Sequence, residues 1–153
     1  MRIQTKFFGE MEMAENKIIT LEGGLMGFEN YTKYVLIYNE EGEGKNIMWF
    51  QSIEEPTLAL PVIYPEVIKE DYAPDVKESF LEPLAPLHAD NTCMLLTLTV
   101  SADIEKTTAN LKAPLIINTD NKKGCQVIAD NADYPVKYNV YEAVQRMKEA
   151  SAC

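Results

Sequence analysis

The chain has 153 residues, 46% of them apolar, and a formal charge of -10 from 24 acidic and 14 basic side chains. This length predicts one domain, 1–153, which can bury a core without disulfide or metal staples. The negative charge disfavours direct binding to nucleic acids or anionic membranes and favours a basic protein partner, although acidity also serves solubility alone.

Apolar and β-branched runs separated by turn residues predict a series of short strands. In chain order the predicted strands cover residues 2–8, 17–21, 33–38, 47–53, 57–63, 93–100, 107–109, 114–118, 124–129 and 134–138. Short helices are predicted around 75–84, where prolines bracket the segment, and around 140–150, where Val140, Val144 and Met147 recur at helical spacing. Together these elements predict a mainly β fold, a single-domain antiparallel barrel-like sheet with two short helices.

Two loops between the predicted strands have a distinctive composition. Residues 22–29 are rich in glycine but lack the GxGxxG spacing and the GK[ST] ending of phosphate-binding loops, so a tight turn with positive φ is predicted. Residues 39–46 form an acidic, glycine-containing segment that predicts the tip of a hairpin.

The stretch NLKAPLIIN, from Asn110 to Asn118, brackets a β-branched run tightly. Pro114 has no N–H for a strand ladder, so it is expected to begin a strand, and the flanking asparagines are expected to form turns. Architecture is the preferred interpretation. The alternative is that Asn110 or Asn118 offers its amide to a partner.

Catalytic and metal chemistry has little support in the sequence. His88 is the single histidine, and no serine or cysteine near it in sequence suggests a nucleophile and base pair. Cys93, Cys125 and Cys153 form no CxxC pair, so we expect no metal, no cofactor and no disulfide framework, with Cys93 and Cys125 in the core. A small enzyme that uses His88 or a carboxylate remains an alternative.

The N-terminal stretch MRIQTKFFGE has no apolar core of a signal peptide, and the apolar runs are too short to cross a bilayer. We therefore expect a cytoplasmic protein without membrane contact.

On the predicted strand 47–53, Trp49 and Gln51 share one face while Met48 and Phe50 share the other. One face must be the core, and Gln51 is expected to be exposed beside the acidic turn that follows.

Four motifs occur in the order and spacing of one protein family. The chain resembles the FliW family from about residue 7 to residue 138. It departs from the family pattern in a poorly matched tail at 139–153 and at Cys125, where members often carry a charged or polar residue. The four motifs are GLMGFE at 24–29, WFQSIEEP at 49–56, NLKAPLIIN at 110–118 and GCQVI at 124–128. Their structural positions are Gly24, Gly27, Phe28, Trp49, Gln51, Pro56, Asn110, Leu111, Pro114, Asn118, Gly124 and Gln126.

The resemblance implies a compact, mostly β, barrel-like fold and a non-enzymatic flagellar assembly factor. Members of the family bind the RNA-binding repressor CsrA and stop it from silencing flagellin mRNA, and they also bind flagellin. The negative charge agrees with this, because an RNA-binding partner must present basic surface. The alternative is a generic acidic, β-rich module for another basic protein.

We expect a partner to contact acids and aromatic residues in the turns, because a hairpin tip and two turns concentrate them. The candidate contact residues are Glu29, Tyr31, Glu40, Glu41, Glu43, Gln51, Glu54 and Glu55.

Overall fold

A computed structural model of the protein describes residues 1–38 and 47–151, so Glu40, Glu41, Glu43 and Cys153 lie outside the described residues. The strands are β1 Arg2–Thr5, β2 Gly9–Glu12, β3 Ile19–Leu21, β4 Lys33–Tyr38, β5 Ile47–Ser52, β6 Ala59–Ile63, β7 Thr92–Thr99, β8 Thr108–Ala109, β9 Leu115–Asn118, β10 Lys123–Gln126 and β11 Tyr138–Asn139. One α-helix, α1 Val140–Ser151, follows β11.

Seven of the strands close into a barrel, which confirms the predicted barrel-like, mainly β fold. The ring runs β3, β4, β5, β6, β7, β9 and β10 before it returns to β3. All of these pairings are antiparallel except that of β10 with β3, which is parallel, so the barrel is mixed. Closure removes the open edges that would otherwise template aggregation.

The parallel contact depends on a close approach at Gly124. A Cβ atom at this position would lie 3.0 Å from Ile117 Cγ1, 3.1 Å from the Ile116 carbonyl oxygen and 3.3 Å from Leu21 Cδ1. Glycine at this point lets strand β10 fit between β3 and β9, which is a packing role rather than a turn role.

The interior of the barrel is filled by side chains from one face of each strand. Met48 and Phe50 of β5 are buried there, and the Phe50 ring stacks on Tyr34 with ring centroids 4.5 Å apart. The opposite face of β5 is also covered, because Trp49 packs against Ile3 and Val35 outside the barrel. The sequence prediction of one core face for this strand was therefore incomplete.

The outside of β4 and β5 is covered by a hairpin of β1 and β2 that the sequence prediction missed. A single strand was predicted over 2–8, but the chain turns at Thr5, whose hydroxyl donates to the Gly9 carbonyl oxygen at 2.7 Å. The Phe8 N–H donates to the same hydroxyl at 2.9 Å. Alternation of Glu10, Met11 and Glu12 places the acids outward, and this period of two is the sequence signal for β2.

The helix predicted over 75–84 is wrong in detail. The structure has two 3-10 turns there, Glu78–Phe80 and Glu82–Leu84. An α-helix of about ten residues is marginal without packing on one face, and Pro83 withholds an N–H from any helix that continues through it. Burial of Leu84 beside Ile116 and Val127 decides the local path instead.

The helix predicted around 140–150 is α1, which packs on the barrel through one face. Ala143 is 1% exposed, and Val140 and Val144 pack in the same apolar cluster. The helix begins at an asparagine cap, because the Glu142 N–H donates to Asn139 Oδ1 at 2.8 Å.

The first part of NLKAPLIIN, residues 110–114, connects β8 to β9, and both strands pair with β7. Asn110 Oδ1 accepts hydrogen bonds from the N–H groups of Lys112 and Ala113 at 3.0 and 3.1 Å. Leu111 is buried, and its carbonyl oxygen accepts the Tyr72 hydroxyl at 2.7 Å. Strand β9 begins immediately after Pro114, so the architectural interpretation of this segment is confirmed.

Cys125 is buried beneath the 3-10 turns, so the stability of this packing is expected to depend on pH. Burial raises the pKa of its thiol from 9.0 to about 11. The protonated thiol is the form that the fold favours, so its contribution is fully present below pH 9 and is lost as the pH rises toward 11. We expect the difference in unfolding free energy between the wild type and Cys125→Ala to be constant from about pH 7 to 8 and to shrink above about pH 9, as measured by urea denaturation. A constant difference up to pH 10.5 would contradict this assignment.

Candidate functional site

Two turns that carry predicted contact residues meet at one end of the barrel. Glu54 Oε1 accepts the N–H groups of Thr32 and Lys33 at 2.6 and 2.8 Å, which joins the turn after β5 to the loop before β4. We call this surface the turn face, and its members are Met26, Phe28, Glu29, Tyr31, Glu54 and Glu55. Four of the eight predicted contact residues are thus brought together here.

In the glycine-rich loop, Gly24 has a left-handed backbone conformation and packs closely against Glu29. Gly24 has φ +70°, and a Cβ atom there would lie 2.7 Å from Glu29 Cα. Glu29 Oε1 accepts the Gly27 N–H at 3.1 Å. That backbone hydrogen bond lowers the pKa of the Glu29 carboxyl, so an exposed negative charge is fixed at the tip of the loop.

The turn after β5 is held by a buried serine. Ser52 Oγ accepts the N–H groups of Glu54 and Glu55 at 3.2 and 2.9 Å. Glu54 is exposed and Glu55 is half-buried, so both acids remain at the surface while the backbone beneath them is fixed. The turn therefore places two acids at the surface on a backbone that is hydrogen-bonded to Ser52.

Exposed apolar side chains lie in the same glycine-rich loop. Met26 is 47% exposed and Phe28 is 43% exposed, whereas Leu25 between Gly24 and Met26 is buried. The Met26 N–H donates to Gln126 Oε1 at 2.8 Å, and Gln126 Nε2 donates to the Ala113 carbonyl oxygen at 3.2 Å. Met26 was not among the predicted contact residues. The only indication of its exposure in the sequence is that it is an apolar residue in a glycine-rich turn.

Gln51 is not available to a partner, contrary to the sequence prediction. It is 1% exposed, and its Oε1 accepts the Lys6 N–H at 3.0 Å. Its Nε2 donates to the carbonyl oxygens of Ser52 and Pro56 at 2.8 and 3.0 Å. A strand face covered by the β1–β2 hairpin is buried, so Gln51 joins the hairpin to the acidic turn instead of meeting solvent.

Strands β4 and β5 run between the turn face and the opposite end of the barrel. Strand β4 begins beside the turn face at Lys33 and ends at Tyr38, and β5 returns antiparallel to it from Ile47. Glu40, Glu41 and Glu43 lie outside the described residues, so they stay predicted contact residues.

A cleft of about 520 Å³ lies at that opposite end of the barrel. His88 is not among the residues that line it. His88 is exposed, and its backbone N–H donates to Asn91 Oδ1 at 2.8 Å. Within the part of the chain that the structure describes, no cluster of three His, Cys, Asp or Glu side chains could hold a metal ion.

No helix among residues 1–38 and 47–151 is both long and apolar enough to cross a bilayer. A closed seven-stranded barrel that gathers acidic turns and exposed apolar side chains at one end defines a small β-barrel protein with a loop-built candidate interface. A sequence model of the family described as FliW protein matches residues 2–140. The chain belongs to the FliW family.

Individual relatives agree with this assignment over most of the chain. The flagellar assembly factor FliW of Lachnospira eligens is 47% identical over 148 residues, which cover 95% of this chain and 98% of the relative. The corresponding protein of Lachnoclostridium phytofermentans is 44% identical and covers 100% of both chains. A crystal structure of the flagellar assembly factor FliW has a TM-score of 0.83 and 30% identity, and the match covers 92% of this chain and 97% of that chain.

The match to the family model ends at residue 140, where α1 begins. The relative from Lachnoclostridium phytofermentans nevertheless aligns over the whole chain, so the tail is shared with at least this relative.

Proposed function

We propose that the chain is a cytoplasmic flagellar assembly factor that works by binding proteins. It binds the repressor CsrA and relieves repression of flagellin mRNA translation, and it binds flagellin, so that free flagellin limits its own synthesis. The role involves no catalytic step, no cofactor, no membrane and no direct contact with nucleic acid. Membership of the FliW family and the names of the relatives support the assembly role, and the family resemblance of the sequence supports the two partners.

The turn face is the observation that carries the proposal. It combines exposed apolar groups, Met26 and Phe28, with the carboxylates of Glu29, Glu54 and Glu55. Protein interfaces have this composition, an apolar centre and a polar rim, and an acidic rim complements the basic surface of an RNA-binding protein. An acidic protein bound to such a partner would also repel RNA phosphates.

The direct test is titration of the purified protein into CsrA bound to a labelled flagellin leader RNA. We expect RNA to be released, and added flagellin to reverse the release. No release by the folded protein would overturn the proposal. Binding to CsrA without release of RNA would favour a module that serves a different basic partner.

Charge reversal tests whether the turn face makes the contact. The double variant Glu29→Lys and Glu55→Lys should weaken CsrA binding about tenfold, mainly through a slower association rate, because rim charges act on encounter. The measurement is surface plasmon resonance at two salt concentrations. The salt dependence should fall together with the association rate. Glu54 is left unchanged because its carboxylate accepts two backbone N–H groups, whereas that of Glu29 accepts only the exposed Gly27 N–H, which water can replace.

The matched control is the double variant Glu70→Lys and Glu78→Lys. Both positions are exposed and lie outside the turn face, so the net charge changes by the same amount. The control should bind within about twofold of the wild type. Equal weakening by both double variants would show a general charge effect and would contradict the turn face as the contact surface.

A further inference from the structure

Strand β1 has one edge that no strand among residues 1–38 and 47–151 covers. The β1–β2 hairpin is a separate two-stranded sheet, in which β1 pairs with β2 through its other edge. The Met13 N–H donates to the Met1 carbonyl oxygen, which fixes the alternation of this antiparallel ladder. Ile3 therefore directs its backbone groups to β2, whereas Arg2 and Gln4 direct theirs away from it.

The backbone groups on this edge have no partner within the described part of the chain. None of its hydrogen bonds involves the N–H or the carbonyl oxygen of Arg2 or Gln4. The next N–H on the same edge belongs to Lys6, and it donates to Gln51 Oε1 at 3.0 Å. Gln51 shares the outer face of β5 with Trp49, so the edge of β1 points toward this face. A free strand edge binds an extended segment of another chain through main-chain hydrogen bonds.

The features that normally protect a free edge are weak in β1. Proline and unpaired charge are two such features. Strand β1 contains no proline, and Arg2 is its one charged residue. The guanidinium group is already paired, with Nη1 3.4 Å from Glu10 Oε1 and Nε 3.8 Å from Glu12 Oε2. The charge at the edge is therefore offset within the hairpin, and backbone pairing rather than charge selects what binds there.

An aromatic surface lies beside the same edge. Trp49 is half-buried, and its ring centroid is 4.4 Å from that of Phe7, which is 52% exposed. Pro61 is also half-buried and lies next to Trp49 in the pairing of β5 with β6. Ile3 points to the barrel, so a side chain opposite Ile3 on an added strand would point to this surface. An added strand would therefore bury apolar area as well as form hydrogen bonds.

We propose that the free edge of β1 binds an extended segment of a partner protein as an added antiparallel strand. The segment forms hydrogen bonds with the N–H and carbonyl groups of Arg2 and Gln4. Its alternate apolar side chains face Trp49 and Phe7, and the side chains between them are polar and face water. The inference goes beyond the proposed function and uses neither the turn face nor the residues that line the cleft. Its failure would leave the release of RNA from CsrA unchanged, so the two proposals are tested separately.

The probe is a peptide of about seven residues, the length of an ordinary strand, in which threonine and valine alternate. Trp49 is the single tryptophan of the chain, so its fluorescence reports on the surface beside the edge. We expect a saturable shift of the emission to shorter wavelength at millimolar peptide, because the added strand excludes water from the indole. A peptide with serine for valine should bind at least about tenfold more weakly, because it buries less apolar area. Absence of a shift with the valine peptide would overturn the proposal.

N-methylated peptides test the backbone hydrogen bonds directly. In an antiparallel pair, the residues hydrogen-bonded to Arg2 and Gln4 share their outward face, so the threonine N–H groups point to β1 and the valine N–H groups point away. Methylation of the threonine nitrogens should weaken binding at least about tenfold, and methylation of the valine nitrogens less than about threefold. Equal weakening by the two modifications would overturn the strand pairing.

A matched pair of proline variants tests the edge from the side of the protein. Gln4→Pro removes an N–H from the free edge of β1, and Glu10→Pro removes one from the outer edge of β2, where Glu10 lies opposite Gln4. Neither N–H is used within the hairpin, so the two variants should unfold at similar temperatures, as measured by circular dichroism. Gln4→Pro should weaken binding of the valine peptide about fivefold or more, and Glu10→Pro less than about twofold. Equal weakening by the two variants would overturn the assignment to β1.

Sedimentation velocity separates a partner segment from a second copy of this chain on the same edge. The proposal expects the free protein to be a monomer, both as wild type and as Gln4→Pro. A wild-type dimer that Gln4→Pro dissociates would show that β1 pairs with β1 of another copy, and it would overturn the partner segment.

Discussion

Replacement of Gly24 by alanine is expected to lower the free energy of unfolding by about 3 kcal/mol, from left-handed backbone strain together with overpacking. The residue has φ +70°, a region that costs an alanine about 1–2 kcal/mol. The new Cβ atom would also lie 2.7 Å from Glu29 Cα and 2.8 Å from the Glu29 carbonyl oxygen. Both atoms belong to the backbone, so the clash is relieved only if the whole loop moves.

Gly23→Ala separates the two contributions. Gly23 is the preceding residue, has φ +80°, and has nothing within 4 Å of its hypothetical Cβ atom. It should therefore show the strain alone, about 1 kcal/mol. Urea denaturation of both variants at pH 7 measures the difference. If Gly24→Ala were no less stable than Gly23→Ala, contact with Glu29 would not be the reason for glycine at this position.

The same substitution has a functional consequence for the turn face. Movement of Glu29 displaces a carboxylate and the neighbouring Phe28 together, since both follow Gly24 in one loop. If the proposed role of the turn face is correct, Gly24→Ala weakens CsrA binding more than Gly23→Ala does. On this proposal, one substitution in the GLMGFE motif lowers both the free energy of unfolding and the affinity for CsrA.

The strands of the barrel were predictable because each has a local signal. Runs such as 33–38 and 47–53 are rich in β-branched and aromatic residues and are bounded by turn residues. The structure contains strands in both places, at Lys33–Tyr38 and Ile47–Ser52. Periodicity within a segment is enough to predict that a strand exists, and turn residues place its ends within a few positions.

Closure and coverage of the barrel were not predictable from local patterns. The parallel contact of β10 with β3 joins residues about a hundred positions apart, and the signal for it is one glycine, Gly124. Gln51 was assigned to the surface because strand alternation gives two faces without saying what covers each. The β1–β2 hairpin covers that face, and its second strand is only four residues long, so its alternation of Glu and Met is a weak signal.

For the candidate site too, local sequence patterns indicated the type of residue but not which segments meet in the fold. Composition indicated acids and aromatics in turns, and Glu29, Tyr31, Glu54 and Glu55 were predicted as contact residues on that basis alone. Which turns meet depends on the hydrogen bonds of Glu54 to Thr32 and Lys33, which join segments about twenty residues apart. The cleft with Lys17 and Lys122 is assembled from β2, β4 and the turn after β9, so no single segment could indicate it.

Asn118 ends the NLKAPLIIN stretch, and its replacement by alanine is expected to destabilise the protein by about 3 kcal/mol. The side chain is 0% exposed. Its Nδ2 donates to the carbonyl oxygens of Leu84 and Pro86 at 2.7 and 3.0 Å, and its Oδ1 accepts the N–H groups of Asp120 and Asn121 at 2.9 and 3.3 Å. Four backbone groups would lose a partner, and only some of them can turn to water.

All of these hydrogen bonds are internal, so Asn118 cannot also offer its amide to a partner, and that alternative is wrong for this residue. For a chain of 153 residues, a loss of about 3 kcal/mol corresponds to a melting temperature lower by roughly 6–12 °C. Differential scanning calorimetry measures it directly. Binding of CsrA at a temperature where the variant is folded should be unchanged, because the residue lies at the end of the barrel opposite to the turn face.

Asn121→Ala is the control within the same turn. Asn121 is exposed, and its Nδ2 contacts to Leu84 and Ala85 are long, at 3.4 and 3.5 Å. Only the bond from the Lys123 N–H to its Oδ1, at 3.0 Å, has good geometry, and water can replace it. This variant should lose less than about 1 kcal/mol. Equal destabilisation by both variants would mean that the turn, and not the buried amide of Asn118, joins β9 to the segment that carries Leu84 and Pro86.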